Sequence, residues 1–128
     1  MLTRPEAGWS DICIGEHRLR VSYIEPVPEM LLTACIRALS TDGTADVTFD
    51  AEGWKWRIQS DRVTRLTIMA DVTETHTVPV TVHELAQEAL ADFQRDLDAW
   101  SIWYYLPDDA DDNRALINRL CKQLEKLL

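Results

Sequence analysis

Cysteine and glycine are scarce in this chain, and the cysteines are spaced too widely for the usual metal and redox motifs. The 128 residues include four glycines and three cysteines, so the sequence contains no glycine-rich linker. Cys13, Cys35 and Cys121 form no Cys-x-x-Cys pair, which argues against a zinc or thiol redox site. Reduced cysteines in a cytosolic protein are the favoured interpretation, and a disulfide between two of them is the alternative.

Long apolar runs are also lacking. No stretch approaches the roughly eighteen consecutive apolar residues that a membrane-spanning helix needs. Residues 1–11 carry charges and lack the apolar centre of a secretory signal. We therefore expect a protein that works in the cytoplasm and has no membrane segment.

Motifs that indicate catalysis or metal binding are missing as well. The chain has no Gly-x-Ser-x-Gly sequence and no glycine-rich phosphate loop. His83 is not followed by the second histidine of a zinc-protease helix, and residues 108–112 lack the glycine and the final glutamate of a calcium loop. His17, His76 and His83 are expected on different elements. We predict no catalytic residues, no metal site and no cofactor, and hence a protein that is not an enzyme.

The apolar content is sufficient for a folded core. Hydrophobic residues make up 46% of the chain and include five tryptophans, which indicates a globular protein rather than a disordered acidic chain. A chain of this length usually forms one domain and buries most of its unfolded surface. We expect residues 1–128 to form a single domain.

Alternation of apolar and polar residues predicts antiparallel strands. Residues 18–24 alternate, and residues 12–14 can pair with them across a Gly-Glu turn. Further alternating segments, separated by short breaks, lie at 45–50, 54–59 and 65–72. Short connections between such strands are typical of a meander. The sequence therefore predicts an antiparallel sheet of four to five strands.

Residues 28–40 fit two structures. A polar stripe at Glu29, Thr33 and Arg37 and the many good helix formers favour a helix with Pro28 in its first turn. The alternation of Leu32 to Ala38 would also fit a strand that leads into a hairpin. We favour the helix, and the strand stays open as the alternative.

The last third of the chain has the period of a helix. Thr81 and Glu84 form a capping-box pattern at the start of an apolar stripe that predicts a helix from 81 to about 106, where Pro107 ends it. A second helix is predicted to begin near position 111 or 112. The fold class predicted is α+β, with an antiparallel meander and with two C-terminal helices and one earlier helix packed on one face of the sheet.

Basic residues are nearly absent from residues 71–112. This segment has eleven acidic residues and one basic residue, Arg95, and so a formal charge of −10 in a chain whose net charge is −9. Such a field repels nucleic acid and anionic membranes and attracts basic proteins. The bases of the predicted strands, such as Arg18, Arg57 and Arg65, are interpreted as a solvated outer face of the sheet rather than a phosphate-binding surface.

The acidic segment has two interpretations. Glu84, Glu88 and Asp92 are four residues apart and predict one acidic ridge, and the aspartates of residues 108–112 lie where a helix dipole favours negative charge. These acids form either a solvated helix face or a docking surface for a basic partner. Trp103 either packs under the last helix or stands exposed as an interface anchor. The residues predicted to contact a partner are Glu84, Glu88, Asp92, Asp96, Trp103, Tyr105, Asp108, Asp109, Asp111 and Asp112.

In length, acidity and the acidic, aromatic segment from Glu84 to Asp112, the chain resembles the immunity proteins that bacteria make against their own polymorphic or contact-dependent toxins. The resemblance rests on this overall character and on no motif, so no family residue is carried over. It implies a protein that neutralises a toxin by covering a basic surface, with electrostatic steering of the encounter. The alternatives are an acidic secretion chaperone, a small-molecule-binding or enzymatic domain, and a structural component of a larger complex. The sequence predicts neither the partner's identity nor the oligomeric state.

Overall fold

Within residues 1–103 and 109–128, which the computed structural model describes, the chain folds into six strands and four α-helices. This is the α+β class with an antiparallel meander that the sequence predicts. In chain order the elements are β1 (Trp9–Ile14), β2 (His17–Ser22), α1 (Val27–Arg37), β3 (Ala45–Asp50), β4 (Lys55–Ser60), β5 (Thr64–Met69), β6 (Thr73–Val78), α2 (Val82–Arg95), α3 (Leu97–Ser101) and α4 (Ala110–Glu125).

The meander is a four-stranded sheet in the order β3-β4-β5-β6. Its register places Val47 opposite Ile58, and Ile58 opposite Leu66, and all three side chains are buried. Asp46 and Thr48, which alternate with the buried residues of β3, are exposed. The period of two in the sequence thus separates an apolar face from a polar one. Helix α1 packs on β3 and also contacts α2 and α4.

Strand β6 was missing from the sequence prediction. Four of its six residues are exposed, His76 is half-buried, and only Val78 is buried. A strand that buries almost nothing has no apolar alternation for the sequence to reveal. Strand β6 is defined by its pairing with β5, which runs along the whole strand from Thr64 opposite Val78 to Met69 opposite Thr73.

The predicted hairpin at the start of the chain forms a two-stranded sheet of its own instead of joining the meander. At its turn, Gly15 has a φ of 59°, and a Cβ atom there would lie 2.8 Å from Val78 Cγ1. Glycine therefore lets the turn contact the edge of β6 closely. At the other end of the hairpin, Trp56 Nε1–H donates a hydrogen bond of 2.8 Å to the carbonyl of Arg20, which ties the two sheets together.

The ambiguous segment at residues 28–40 is a helix, as favoured from the sequence. Helix α1 has a proline in its first turn, where the missing N–H costs no hydrogen bond. The helix continues as a π-helical turn, Ala38–Asp42, and ends at Gly43 with a φ of 75°. The strand alternative is wrong, because the buried residues Leu31, Leu32 and Cys35 cluster on a helical face instead of alternating.

The predicted helix from 81 to 106 is wrong in its extent. Helix α2 ends at Arg95, and the backbone of Asp96 leaves the helical region (φ −110°, ψ 34°) before α3 begins. The redirected chain brings Trp100 and Trp103 into the core beside Phe93, with ring centroids 5.1 Å apart for Phe93 and Trp100. Residues 104–106, at the predicted end, lie outside the described residues. Helix α4 begins one or two residues before the predicted position. None of the helices in the described ranges is long and apolar enough to cross a membrane.

The three cysteines are free thiols in unequal environments, and this predicts unequal reactivity. Burial raises the pKa of Cys35 to about 12, and burial with the nearby Glu125 raises the pKa of Cys121 to about 11. Cys13 is only half-buried. Because the thiolate is the reacting species, we expect one fast-reacting thiol with a disulfide reagent in the native protein and three after denaturation. A Cys13→Ser variant should lose the fast phase; three equal rates in the native protein would contradict this assignment.

Candidate functional site

Five of the acidic residues that were predicted to contact a partner are exposed in the structure. They lie in the first two turns of α2 (Glu84, Glu88) and at the start of α4 (Asp109, Asp111, Asp112). In residues 1–103 and 109–128, no basic side chain forms an ion pair with any of the five. We call these five residues the acidic helix ends.

The beginning of α2 is set by the predicted cap. Thr81 Oγ1 accepts a hydrogen bond of 3.1 Å from the backbone N–H of Glu84, so the helix begins directly after Thr81. This cap places Glu84 in the first turn, where the helix dipole stabilises a negative charge. Glu88 follows one turn later on the exposed side. The capped start of α2 therefore leaves both carboxylates exposed to solvent and available for contact.

The beginning of α4 is held against α3 by polar contacts. Asn113 Nδ2 donates a hydrogen bond of 3.1 Å to the carbonyl of Ser101, and Arg114 pairs with Asp98. These contacts turn Asn113 and Arg114 toward α3. The three aspartates of this end, at positions 109, 111 and 112, are left in solvent. Asp108, which the sequence analysis grouped with them, lies outside the described residues, as does Tyr105.

Asp92 and Asp96, two of the predicted contact residues, are inside the protein, with 6% and 9% of their surface exposed. Asp92 Oδ2 accepts a hydrogen bond of 2.7 Å from the backbone N–H of Leu2, and its Oδ1 lies 3.0 Å from Arg95 Nη1. Arg95 also pairs with Asp96 at 2.7 Å and donates to the carbonyl of Leu2 at 3.1 Å. These three side chains and the two backbone groups of Leu2 fasten the first residues of the chain to the end of α2.

The geometry of a helix explains why the predicted ridge does not persist. Successive residues are about 100° apart, so each step of four residues rotates the position by about 40°. From Glu84 to Asp92 the rotation is about 80°, which carries the third carboxylate from solvent to the buried side beside Ala89 and Phe93. The prediction of one exposed ridge through Glu84, Glu88 and Asp92 is wrong at its third member.

Trp103, the predicted interface anchor, is buried with 2% of its surface exposed. Its ring lies 4.9 Å from that of Trp100, measured between centroids, and its Nε1–H donates a hydrogen bond of 2.8 Å to the carbonyl of Glu25. The interpretation of Trp103 as an exposed interface anchor is wrong, because its side chain lies in the core against Trp100. An exposed role for Trp103 is therefore excluded in this fold.

Ion pairs engage two of the arginines of the main sheet. Arg57 donates two hydrogen bonds to Asp46, with its Nε 2.8 Å from Oδ1 and its Nη2 2.6 Å from Oδ2. This contact lowers the pKa of Asp46 below its ordinary value. Arg65 likewise pairs with Asp61 at 3.2 Å. Both guanidinium groups are therefore engaged with carboxylates, one on β3 and one in the turn between β4 and β5.

Two histidines that the sequence places on different elements have their rings in contact. The rings of His17 in β2 and His76 in β6 are 4.5 Å apart between centroids, at the place where the hairpin contacts the main sheet. His76 Nε2 is also 3.3 Å from a carboxylate oxygen of Glu74. Among the residues described, no group of three or more histidine, cysteine or acidic side chains is placed to hold a metal ion.

A groove of about 570 Å³ between α1 and β3 is a concave feature that sequence reasoning missed. Its lining includes the apolar residues Met30, Ala34 and Val47 and the charged residues Glu29, Arg37, Asp42 and Asp46. Nothing in the residue pattern of β3 distinguishes it from a central strand, because its place at the edge depends on which strands pair. The groove could be found only once the strand order was known.

Comparison of the chain with protein-family models, with curated proteins and with solved structures gave no match in any of the three. The function must therefore be inferred from the surface and the charges of this chain itself.

Proposed function

We propose that this chain is a cytoplasmic binding module for a basic protein, of the immunity-protein type, which neutralises a bacterial toxin by covering a basic surface. On this proposal it acts by binding and not by catalysis, and it does not bind nucleic acid. The observation that carries the proposal is the set of acidic helix ends: five exposed carboxylates without ion pairs in the described residues, in a chain of net charge −9.

The acidic helix ends are suited to steering. Unpaired carboxylates contribute their full charge to the field around the protein, whereas an ion pair such as that of Asp46 and Arg57 largely cancels itself. A field of one sign raises the encounter rate with an oppositely charged partner, most strongly at low salt. Exposed carboxylates at a helix start also need no rearrangement before contact, because the cap at Thr81 and the contacts of Asn113 already hold the helices in place.

Charge reversal tests this proposal. A variant in which the five acidic helix ends become lysine should associate with its partner more slowly at low salt by about tenfold or more, because the steering field has changed sign. The partner is first captured from lysate of the native host with tagged protein at about 50 and about 500 mM salt, a range over which exposed charges are screened. Association rates of the purified pair are then measured at both salt concentrations.

The matched control reverses five exposed acids elsewhere, namely Glu6, Glu16, Asp42, Asp71 and Glu74, so that both variants change the net charge by the same amount. A second variant with glutamine or asparagine at the five positions separates loss of charge from the cost of a lysine at a helix start. The proposal fails if the helix-end variant and the control associate at the same rate. It also fails if the captured protein is not basic.

A further inference from the structure

Strand β6 forms one edge of the meander, and most of its residues are exposed. In residues 1–103 and 109–128, no strand pairs with its outer side. The opposite edge differs, because α1 packs on β3 and the N–H of Asp50 there donates to the carboxylate of Glu25. An edge strand presents backbone N–H and C=O groups that can pair with another strand. We therefore ask which groups of β6 face outward.

Two contacts at the ends of β4 fix the direction of the backbone groups in the meander. The N–H of Ala51 donates to the carbonyl of Trp54, so the even-numbered residues of β4 direct their N–H and C=O groups to β3. The N–H of Asp61 donates to the carbonyl of Val63, so the odd-numbered residues direct theirs to β5. The two directions alternate along β4, as they do along any strand with antiparallel neighbours on both sides.

The same alternation carries through β5 to β6. Directly opposite residues in a hydrogen-bonded pair exchange both bonds, and odd-numbered residues of β4 lie opposite odd-numbered residues of β5. The even-numbered residues of β5 therefore bond to the even-numbered residues of β6, as Leu66 does with His76. The outward N–H and C=O groups of β6 belong to Thr73, Thr75 and Thr77.

This edge lacks the residues that commonly keep edge strands from pairing. Lysine and proline often serve that purpose, and both are absent from residues 72–78, as is arginine. The three outward residues are threonines, which are favoured in strands. Val72, directly before β6, has 70% of its surface exposed. The sequence of this edge is thus that of a strand with room for a neighbour.

The two ionisable side chains of β6 distinguish between the ways in which a second copy could pair with it. Outward groups bond to outward groups, so the antiparallel registers that pair at least two of the threonines are centred on Glu74, on Thr75 or on His76. The first sets two glutamates directly opposite each other, and the third sets two histidines opposite each other. The register centred on Thr75 sets each Glu74 opposite the His76 of the other copy and pairs all three threonines.

This choice of register needs no unpaired charge. Glu74 Oε2 already lies 3.3 Å from His76 Nε2 in the same chain, and the register centred on Thr75 gives each of them a second neighbour of the other kind. Acid and imidazole then alternate around the axis between the copies. In the register centred on Glu74, two carboxylates stand opposite each other, which is destabilising.

We propose that two copies of this chain pair antiparallel through β6 about a twofold axis at Thr75, which joins the two meanders into one continuous sheet. Thr75 bonds to Thr75 of the second copy, and Thr73 bonds to Thr77 on both sides of the axis. Val72 then lies opposite Val78 of the other copy, so an exposed apolar side chain gains a neighbour. The interface has the closed twofold symmetry that is commonest among oligomers. It does not depend on the acidic helix ends or on the proposed function.

Disulfide trapping tests the register directly. In a Cys13→Ser background the two remaining cysteines are buried. Thr75→Cys places two thiols at directly opposite positions of a hydrogen-bonded pair, about 5.5 Å apart between Cα atoms, which is within the reach of a disulfide. We expect a covalent dimer under mild oxidation. Thr73→Cys is the matched control, because its counterpart in the second copy is displaced by four residues, about 13 Å along the strand. Mixing Thr73→Cys with Thr77→Cys should restore the crosslink.

Sedimentation equilibrium measures the same contact without a crosslink. At about 150 mM salt, which screens the repulsion between two acidic chains beyond about 8 Å, we expect a reversible monomer–dimer equilibrium. Thr75→Pro removes an outward N–H but no bond to β5, so it should weaken the dimer at least about tenfold relative to Thr75→Ala. His76→Glu sets acids opposite each other and should also weaken it. The double variant Glu74→His with His76→Glu restores unlike neighbours and should recover the dimer.

The contrary results overturn the proposal. A chain that sediments as a monomer at every concentration does not pair through β6. Equal crosslinking of Thr73→Cys and Thr75→Cys would show random collision instead of one register. A dimer that forms equally well with Thr75→Pro and Thr75→Ala uses another surface. If Thr75→Pro fails to fold by circular dichroism, the cysteine variants, which keep every backbone group, decide the question.

Discussion

Replacing Trp103 by alanine is expected to lower the free energy of unfolding by about 3–5 kcal/mol, the usual cost of removing a buried aromatic side chain. The ring is buried against Trp100, so its removal leaves a cavity in the core. The hydrogen bond from its Nε1–H to the carbonyl of Glu25 spans 78 positions of sequence. Its loss would also separate the chain after α3 from the start of α1.

Urea denaturation followed by circular dichroism measures this effect, and Trp103→Phe is the control. Phenylalanine keeps most of the apolar surface but leaves the carbonyl of Glu25 without its donor, at a cost of about 1–3 kcal/mol. The expected order of stability is wild type, then Trp103→Phe, then Trp103→Ala. A Trp103→Ala protein as stable as wild type would show that this side chain stands in solvent after all.

Replacing Asp92 by alanine is the second large effect, and we expect a loss of about 1–3 kcal/mol, because the buried N–H of Leu2 loses its acceptor. The pairing with Arg95 adds little, since that guanidinium is more than half exposed and solvent can replace the carboxylate. The start of the chain should then detach from α2. Faster hydrogen exchange at the amide of Leu2 would report this detachment directly.

Glu88→Ala is the matched control for Asp92→Ala. Glu88 is an acid on the same helix, one turn earlier, and is exposed, so its replacement should change the free energy of unfolding by no more than about 0.5 kcal/mol. Asp92→Asn keeps an oxygen acceptor and should fall between the two alanine variants. Equal stability of Asp92→Ala and Glu88→Ala would mean that Asp92 belongs to the exposed acidic surface, as the sequence suggested.

The contrast between these two acids shows where sequence reasoning succeeds and fails in this protein. Spacing by four residues correctly placed Glu84 and Glu88 on the exposed side of α2. It failed at Asp92 because the rotation of about 40° per step accumulates and because residues near position 2 fold back to the end of α2. The partner of a buried carboxylate lies 90 positions away in the sequence, and no local pattern contains that information.

The sequence by itself determined the elements that rest on local signals. These are the alternating strands and the capped start of α2, because periodicity, caps and turn residues act within a few positions. For residues 28–40 the sequence favoured a helix but left a strand open. Only the tertiary structure decided which strand stands at the edge, where α2 ends, and which acids and aromatic residues are buried. Those outcomes depend on pairing and packing between distant segments, which also leave β6 at the edge of the sheet and place Trp103 in the core.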